Sequence, residues 1–389
     1  MHGGNEPFSL YIHIPYCISK CPYCDFNSHV VAKIPERAYI EALTRELDHY
    51  AGQDAWRDRK IQSIFFGGGT PSTFHPQGIA KILSQVVASF DLLPDCEITL
   101  EANPGTVDRA HFVGYRACGV NRISLGVQSF QPRLLKFLGR AHSVDEAKLA
   151  LGVVRAAGFD NFSLDLIYAN PGQTLEELRT DLEIALSFGS PHLSAYNLTI
   201  EEGTPFHHEF RSGRMPLLTE EEEIAMAELI EQKLRQAGLA RYEISNYARP
   251  GFHARHNVNY WQDGDYLGLG AGAHSYKKTK TDGIYGQRWW NEKAPSRYMQ
   301  AVLRNGQAVV EAEHPDIKKA AGEFMFSGLR LTDGVSVEGF AARFNQTPAA
   351  FYPRILDWIS EGFMEQDNHR LRLSRRGFMV ANAIFVHFV

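Results

Sequence analysis

The sequence predicts an α/β protein, a partial (β/α)6 barrel of the TIM type followed by a small, mainly helical C-terminal domain. Three observations carry that expectation. Short β-rich runs alternate with amphipathic helical runs through the first two hundred residues, and six strand–helix units of this kind suggest a barrel or part of one. Each strand run is four to eight residues long, rich in Ile, Leu, Val, Phe or Tyr, and ends in Gly, Pro or polar residues. From about Glu313 the pattern changes to short helices.

In chain order the strand candidates are Phe8–Ile14, Ser63–Phe66, Glu97–Ala102, Arg122–Val127, Asn161–Ile167 and His192–Leu198. Helical periodicity falls between them, at Pro35–Tyr50, Gln77–Phe90, Val107–Cys118, Val144–Ala157 and Leu175–Phe188. A sixth helix, Glu220–Ala237, opens on Thr219 as its cap with glutamates in the first turn, where the helix dipole favours them. Residues 241–290 are rich in Tyr, Trp, His, Asn and Gly with weak periodicity, and read as irregular structure laid over one face of the barrel. A helix returns at Ala294–Arg304. Short helices follow at Asp316–Leu329, Val337–Phe344 and Ala349–Glu361, with Arg370–Leu373 as a strand in a β-hairpin. Three parts result: a barrel over 1–240, an aromatic and histidine-rich extension over 241–308, and a small helical domain over 309–389.

Bulk properties exclude several classes. The net charge is −5 and the Lys and Arg residues are scattered, which argues against a nucleic-acid partner. No run of about 18 apolar residues exists to span a membrane. Met1–Ser9 lacks a signal-peptide core, so the expected location is the cytoplasm. Of five cysteines, Cys17, Cys21 and Cys24 fall on one short loop after the first strand, while Cys96 and Cys118 stand apart and read as small packed side chains.

Three thiolates converging after a barrel strand suit an iron–sulfur cube, leaving one of four irons without a protein ligand. Zinc or free thiols are the other readings; zinc would want a fourth Cys or His, but Phe26 stands two positions after Cys24 and His29 fits poorly. Phe65-Phe66-Gly67-Gly68-Gly69-Thr70-Pro71 ends the second strand, and glycines there let backbone approach a ligand. Glu101, Gln128 and Asp165 lie at the ends of the next three strands, and Arg140 follows the fourth unit. Singly, each would be a solvated loop residue. In register, they point into one mouth.

Cys17-x-x-x-Cys21-x-x-Cys24, with Tyr23 before the last cysteine, resembles the radical S-adenosylmethionine superfamily. The resemblance implies a 4Fe–4S cluster whose open iron chelates S-adenosylmethionine, with reductive cleavage to methionine and a 5′-deoxyadenosyl radical, and an electron donor that the sequence does not name. Tyr-Ile-His-Ile-Pro-Tyr-Cys at 11–17, Phe-Gly-Gly-Gly-Thr-Pro at 66–71, Gly-Val-Gln-Ser-Phe at 126–130, Tyr-Glu-Ile-Ser-Asn-Tyr at 242–247 and Gly-Leu-Gly-Ala-Gly-Ala-His-Ser at 268–275 narrow the likeness. Together they resemble the oxygen-independent coproporphyrinogen oxidase-like family across nearly the whole chain. That likeness implies a cofactor site of Tyr11, Tyr23, Gly68, Gly69, Thr70, Glu101, Gln128, Arg140 and Asp165. One departure is Ala169-Asn170-Pro171, where relatives usually carry Gly-Leu-Pro.

Within that family two activities compete: decarboxylation of coproporphyrinogen III in haem synthesis, and haem carriage to apo-haemoproteins. A binding module with no haem role is the third reading. Phe26 in place of a further cysteine, the short segment before Cys17, and His256-Asn257-Val258-Asn259-Tyr260-Trp261 resemble the chaperone subgroup. The implied partners are haem and its acceptor proteins; the likeness also leaves room for a homodimer and for peripheral contact with membrane haemoproteins. His256, Tyr260 and Trp261 are the haem candidates, since imidazole is a common axial ligand and aromatic rings wall a macrocycle. Arg255 could pair with a propionate, and His253 and His274 are weaker candidates. Against this, a histidine beside aromatics is more often a hydrogen-bonded structural residue, as His13 is expected to be.

Overall fold

Strand β1 (Phe8–Ile14) has six of seven residues buried, including polar Ser9 and His13. Only a strand covered on both faces is buried this way, which is the environment of a parallel sheet flanked by helices. The computed structural model, which describes residues 6–281 and 283–388, builds that sheet. Beside β1 lie β2 (Ile61–Gly68), β3 (Leu92–Ala102), β4 (Arg122–Gln128), β5 (Phe162–Tyr168) and β6 (His192–Asn197), each parallel to the last. Helices including Glu36–Ala51, Pro76–Ser89, Arg109–Ala117, Val144–Ala156 and Leu175–Ser187 return the chain between strands. This is the α/β partial barrel expected. Three of its helices, beginning at Val144, Leu175 and Glu220, open on reciprocal capping boxes (Ser143 with Glu146, Thr174 with Glu177, Thr219 with Glu222).

The expectation of irregular structure over 241–290 is corrected. Two short strands, β7 (Ala240–Arg241) and β8 (Asn246–Ala248), close the far side against β6. The chain then forms helix Arg255–Trp261 and β9 (Tyr266–Leu269), which pairs in parallel with the free edge of β1. β10 (His274–Thr281), β11 (Ile284–Asn291) and β12 (Val309–Glu313) continue antiparallel. The sheet thus runs β12-β11-β10-β9-β1-β2-β3-β4-β5-β6-β8-β7. Its last strand reaches Glu313, past the expected division at 308/309, so the boundary fits the start of helix Ile317–Gly328 better.

A buried carboxylate ties this extension to the barrel. Glu46, on the first helix, accepts hydrogen bonds from the Tyr298 hydroxyl at 2.7 Å, the Gly270 N–H at 2.9 Å and the Asn291 amide at 2.7 Å. The C-terminal domain has its own core, with Phe340, Phe344, Trp358, Leu371 and Ile384 among its members. Its hairpin pairs Met364–Gln366 with Arg370–Leu373, and Val335–Ser336 adds a third strand that periodicity did not reveal.

Candidate cofactor site

Gly68 ends β2 with φ +114°, in the region glycine tolerates best; a Cβ there would lie 2.5 Å from the His13 ring. A Cβ on Gly69 would meet the Tyr16 backbone at 2.7 Å, because the Gly69 and Thr70 N–H groups bond to the carbonyls of Ile14 and Tyr16. The glycine triplet therefore locks the end of β2 against the start of the cysteine loop. Thr70 also donates to Cys17 Sγ at 3.4 Å.

Across the mouth, Arg140 knits the other strand ends together. One guanidinium nitrogen donates to Cys21 Sγ at 3.5 Å and the Tyr23 hydroxyl at 3.4 Å; the other donates to Asn103 Oδ1 and, at 2.9 Å, to the Gly126 carbonyl. Asn103 passes the network on to Thr70 Oγ1 at 3.0 Å. Among the described residues Arg140 Nε is buried without a partner, an orphaned donor. β4 ends in a bulge against β5, with Gln128 at φ +69°, the kind of irregularity that re-aims a side chain at a rim.

These residues enclose a cavity of about 640 Å³. Cys17, Cys21, Cys24, Tyr23, Gly68, Gly69, Thr70, Glu101, Gln128, Arg140 and Asp165 all line it. Tyr11 does not. Its hydroxyl points to His13 Nδ1 at 2.9 Å, and its ring lines a second cavity of about 780 Å³. His13 Nε2 lies 2.9 Å from the Asn27 carbonyl, which can only accept. The His13 proton therefore sits on Nε2 and Tyr11 donates to Nδ1. Burial holds His13 down to about 4, so it stays neutral. Asn103, which the sequence showed only as part of Leu-Glu-Ala-Asn-Pro, is the network's missed member; its place two residues after Glu101 was the available signal.

The two carboxylates differ. Asp165 accepts from Ser124 at 2.8 Å and Ser163 at 2.9 Å. Glu101 is pushed up to about 8, by burial first and by the nearby Asp165 charge second, against one favourable N–H from Gly68. A buried acid beside a second acid suits a ligand that brings positive charge.

The cysteine thiols, unpaired and half-buried, face this cavity together. Among the described residues no group of three or more Cys, His, Asp or Glu is drawn close enough to hold a single metal ion. Thiolates on a cubane bind separate irons and need not crowd in this way. Cys96 and Cys118 lie elsewhere, their thiols toward the Glu97 and Tyr115 carbonyls.

The haem candidates around 256 require correction. His256 is buried with both ring nitrogens engaged, Nδ1 with Ser63 Oγ at 2.9 Å and Nε2 with the Tyr260 hydroxyl at 2.8 Å, and burial lowers it to about 3. No ring nitrogen is left for an iron. Arg255 is committed to Asp95 at 2.7 Å, His253 stacks on Tyr242 at 4.2 Å, and Trp261 lies under the Arg330 guanidinium. Only Tyr260 of the three lines either cavity.

Comparison with known proteins agrees with this architecture. Residues 11–185 match the family model described as Radical SAM superfamily, and residues 318–380 that of the HemN C-terminal domain. The chain is 39% identical to heme chaperone HemW of Haemophilus influenzae, over 98% of each chain. It is 38% identical to heme chaperone HemW of Escherichia coli K12, again over 98% of each. The protein of that name from Bacillus subtilis is 33% identical over 98% of this chain and 99% of its own. The fold is shared with coproporphyrinogen III oxidase (HemN) from Escherichia coli, with a TM-score of 0.82 at 22% identity over 98% of this chain and 90% of that one. Among the described residues no helix is long and apolar enough to cross a membrane. With a radical SAM core, a HemN-type C-terminal domain and end-to-end similarity to these chaperones, the chain belongs to the heme chaperone HemW family of the radical SAM superfamily.

Proposed function

We propose that the chain binds haem and delivers it to apo-haemoproteins, holding a 4Fe–4S cluster on Cys17, Cys21 and Cys24 and S-adenosylmethionine in the adjoining cavity. The observation that supports this most is the pair of cavities, about 640 and 780 Å³, which share Phe26, Phe65, Gly68 and Glu101 as common wall. One mouth has the donors for cluster and cofactor; its neighbour has room for a cofactor-sized ligand.

When bound, the cluster supplies an iron with an open coordination position and access to low potential. The remaining tasks belong to the chain. Glu101 and Asp165 supply negative charge and acceptors, the former releasing its proton when a cation arrives. Arg140 presses positive charge on Cys21 and, through Asn103 and Gly126, fixes the spacing of three strand ends. The glycine triplet gives backbone access at β2. Phe26 and Phe65 stand between the cofactor and the cargo, with Lys20, Asp25 and Ser28 on the same shared side.

The test is haem transfer. Anaerobically reconstituted protein loaded with haem should convert an apo-cytochrome to its holo form, and Cys17→Ala protein should do so more slowly. Equal rates would remove the cluster from the function. Consumption of coproporphyrinogen III by the reduced protein, with release of carbon dioxide, would replace this proposal with the oxidase activity.

A further inference from the structure

The second cavity carries imidazole, aromatic and ammonium groups in one place. Tyr260, Tyr266 and Tyr276 form one wall in series, with ring centroids 4.7 and 6.1 Å apart. Phe65 and the exposed Phe26 stand on the side shared with the cofactor cavity. Flat, amphipathic walls of this kind suit a macrocycle. Two lysines, Lys20 and Lys293, reach the cavity and are placed to meet carboxylates. Of its four acids two are paired, Glu323 with Arg288 at 2.9 Å and Asp263 with Arg343; Asp25 and Glu101 lie on the side shared with the cofactor cavity.

Three histidines line this space, and their bonding separates them. His13 uses both nitrogens, and His29 gives one to Asn27 Oδ1 at 3.2 Å. His274 has no side-chain hydrogen bond among the described residues. It is exposed to the cavity at the start of β10 and is held flat by stacking on Trp290, with centroids 5.4 Å apart and planes 21° apart. Partial burial, then the Arg288 and Lys293 charges, lower its proton affinity, which keeps it in the neutral form that binds metal.

We infer that the haem of the proposed function sits in this second cavity and that His274 supplies the axial imidazole to its iron, with His256 serving only as a fixed support behind the wall. Ser63 and Tyr260 hold His256 in that position, and the cargo would contact Tyr260 on its other side. The assignment rests on the haem-binding proposal, and the experiment separates the two.

The full-length protein is titrated with haemin and followed through the Soret band, alongside His274→Ala, His274→Tyr and His256→Gln. Wild-type protein should give an imidazole-ligated spectrum. His274→Ala should weaken haemin binding by about tenfold or more, and added imidazole should restore the spectrum. Metal-free protoporphyrin IX, followed by fluorescence, should bind His274→Ala within about twofold of wild type, because the aromatic wall is intact. His274→Tyr should shift the band to that of a phenolate-ligated iron, and His256→Gln should leave the spectrum unchanged. A wild-type spectrum and affinity in His274→Ala would overturn the assignment. So would loss of metal-free porphyrin binding in step with haemin, which would mean a damaged wall instead of a missing ligand. Wild-type protein that takes up no haemin would overturn the chaperone proposal itself.

Discussion

The two cavities that meet at Glu101 are built on opposite principles. On the cysteine side, side chains from four strand ends are cross-linked: Arg140 alone holds Cys21, Tyr23, Asn103 and Gly126, and Asn103 holds Thr70. On the other side the wall is a row of tyrosine rings on a later strand-and-helix extension, with an exposed phenylalanine at the rim. A cross-linked polar site fixes the geometry of a ligand that must be positioned. An aromatic wall makes broad, weakly directional contact with a flat ligand, so under the proposed function the hold on the cargo would fall to the axial imidazole and the two lysines inferred above. The contrast teaches that one half of the mouth is braced by polar cross-links while the other is walled by stacked rings, which under the proposed function would separate retention of the cofactor from release of the cargo.

The largest effect that would sharpen this contrast comes from the sulfur loop. Replacing Cys17, Cys21 or Cys24 by Ala should abolish the cluster, taking iron content from about four per chain to near zero. Haemin binding to the same protein should stay within about twofold of wild type, since none of the three lines the second cavity. Iron and sulfide analysis beside a Soret titration measures both. Loss of haemin binding together with the cluster would break the division between the two cavities.

Next is the brace. Arg140→Ala removes a buried, forked cation and frees Asn103, and should weaken S-adenosylmethionine binding by about tenfold to a hundredfold. Arg140→Lys should recover little of this, because a single ammonium nitrogen cannot meet Cys21 and Tyr23 on one side and Asn103 and the Gly126 carbonyl on the other as a planar fork does. Equilibrium dialysis of reconstituted protein gives the numbers. Full recovery by lysine would reduce Arg140 to a point charge.

Smaller, and specific in sign, is the proton carried by Glu101. In the cofactor-free cavity its carboxyl stands at about 8, so it is mostly protonated at neutral pH. A sulfonium cation favours the carboxylate, so binding below pH 8 releases a proton. Affinity for S-adenosylmethionine should therefore fall as pH drops below 8, by at most about tenfold per unit, and level off above it. Calorimetry in buffers of different ionisation heat should count the proton, and Glu101→Gln should flatten the profile. An unchanged slope in that variant would assign the proton elsewhere.

The same contrast explains what was legible in the sequence. Strands β1 to β6 are buried on both faces, so their apolar runs stand out between turn residues, and the polar residues at their ends show as interruptions. The extension gives no such signal. β9 is only Tyr-Leu-Gly-Leu, and it becomes a strand because β1 offers a free edge more than two hundred residues earlier. Helix Arg255–Trp261 has no side-chain cap to announce it. His256 was visible as a motif, but its fate depends on Ser63, 193 residues away, a partner that no local pattern identifies. With Tyr260 already on Nε2, that contact is the one that commits the second nitrogen. His274 looked the weaker candidate in sequence for the same reason.

The smallest effects concern backbone strain at the ends of β4 and β5. Gln128 and Ala169 both have left-handed φ, +69° and +59°. For a residue with a Cβ that conformation costs about 1–2 kcal/mol, while glycine forfeits about 0.5–1 kcal/mol through the freedom it adds to the unfolded chain. Gln128→Gly should therefore stabilise the cofactor-free protein by up to about 1 kcal/mol, while weakening S-adenosylmethionine binding through loss of the amide. At Ala169 the balance shifts, because its methyl is buried at 4% exposure and is worth about 0.8 kcal/mol. Ala169→Gly should then leave stability within about 0.5 kcal/mol. Urea denaturation of both variants separates the cases: a gain at 128 with none at 169 means that strain is kept at the cavity rim for its ligand, and equal changes would mean that it is merely tolerated.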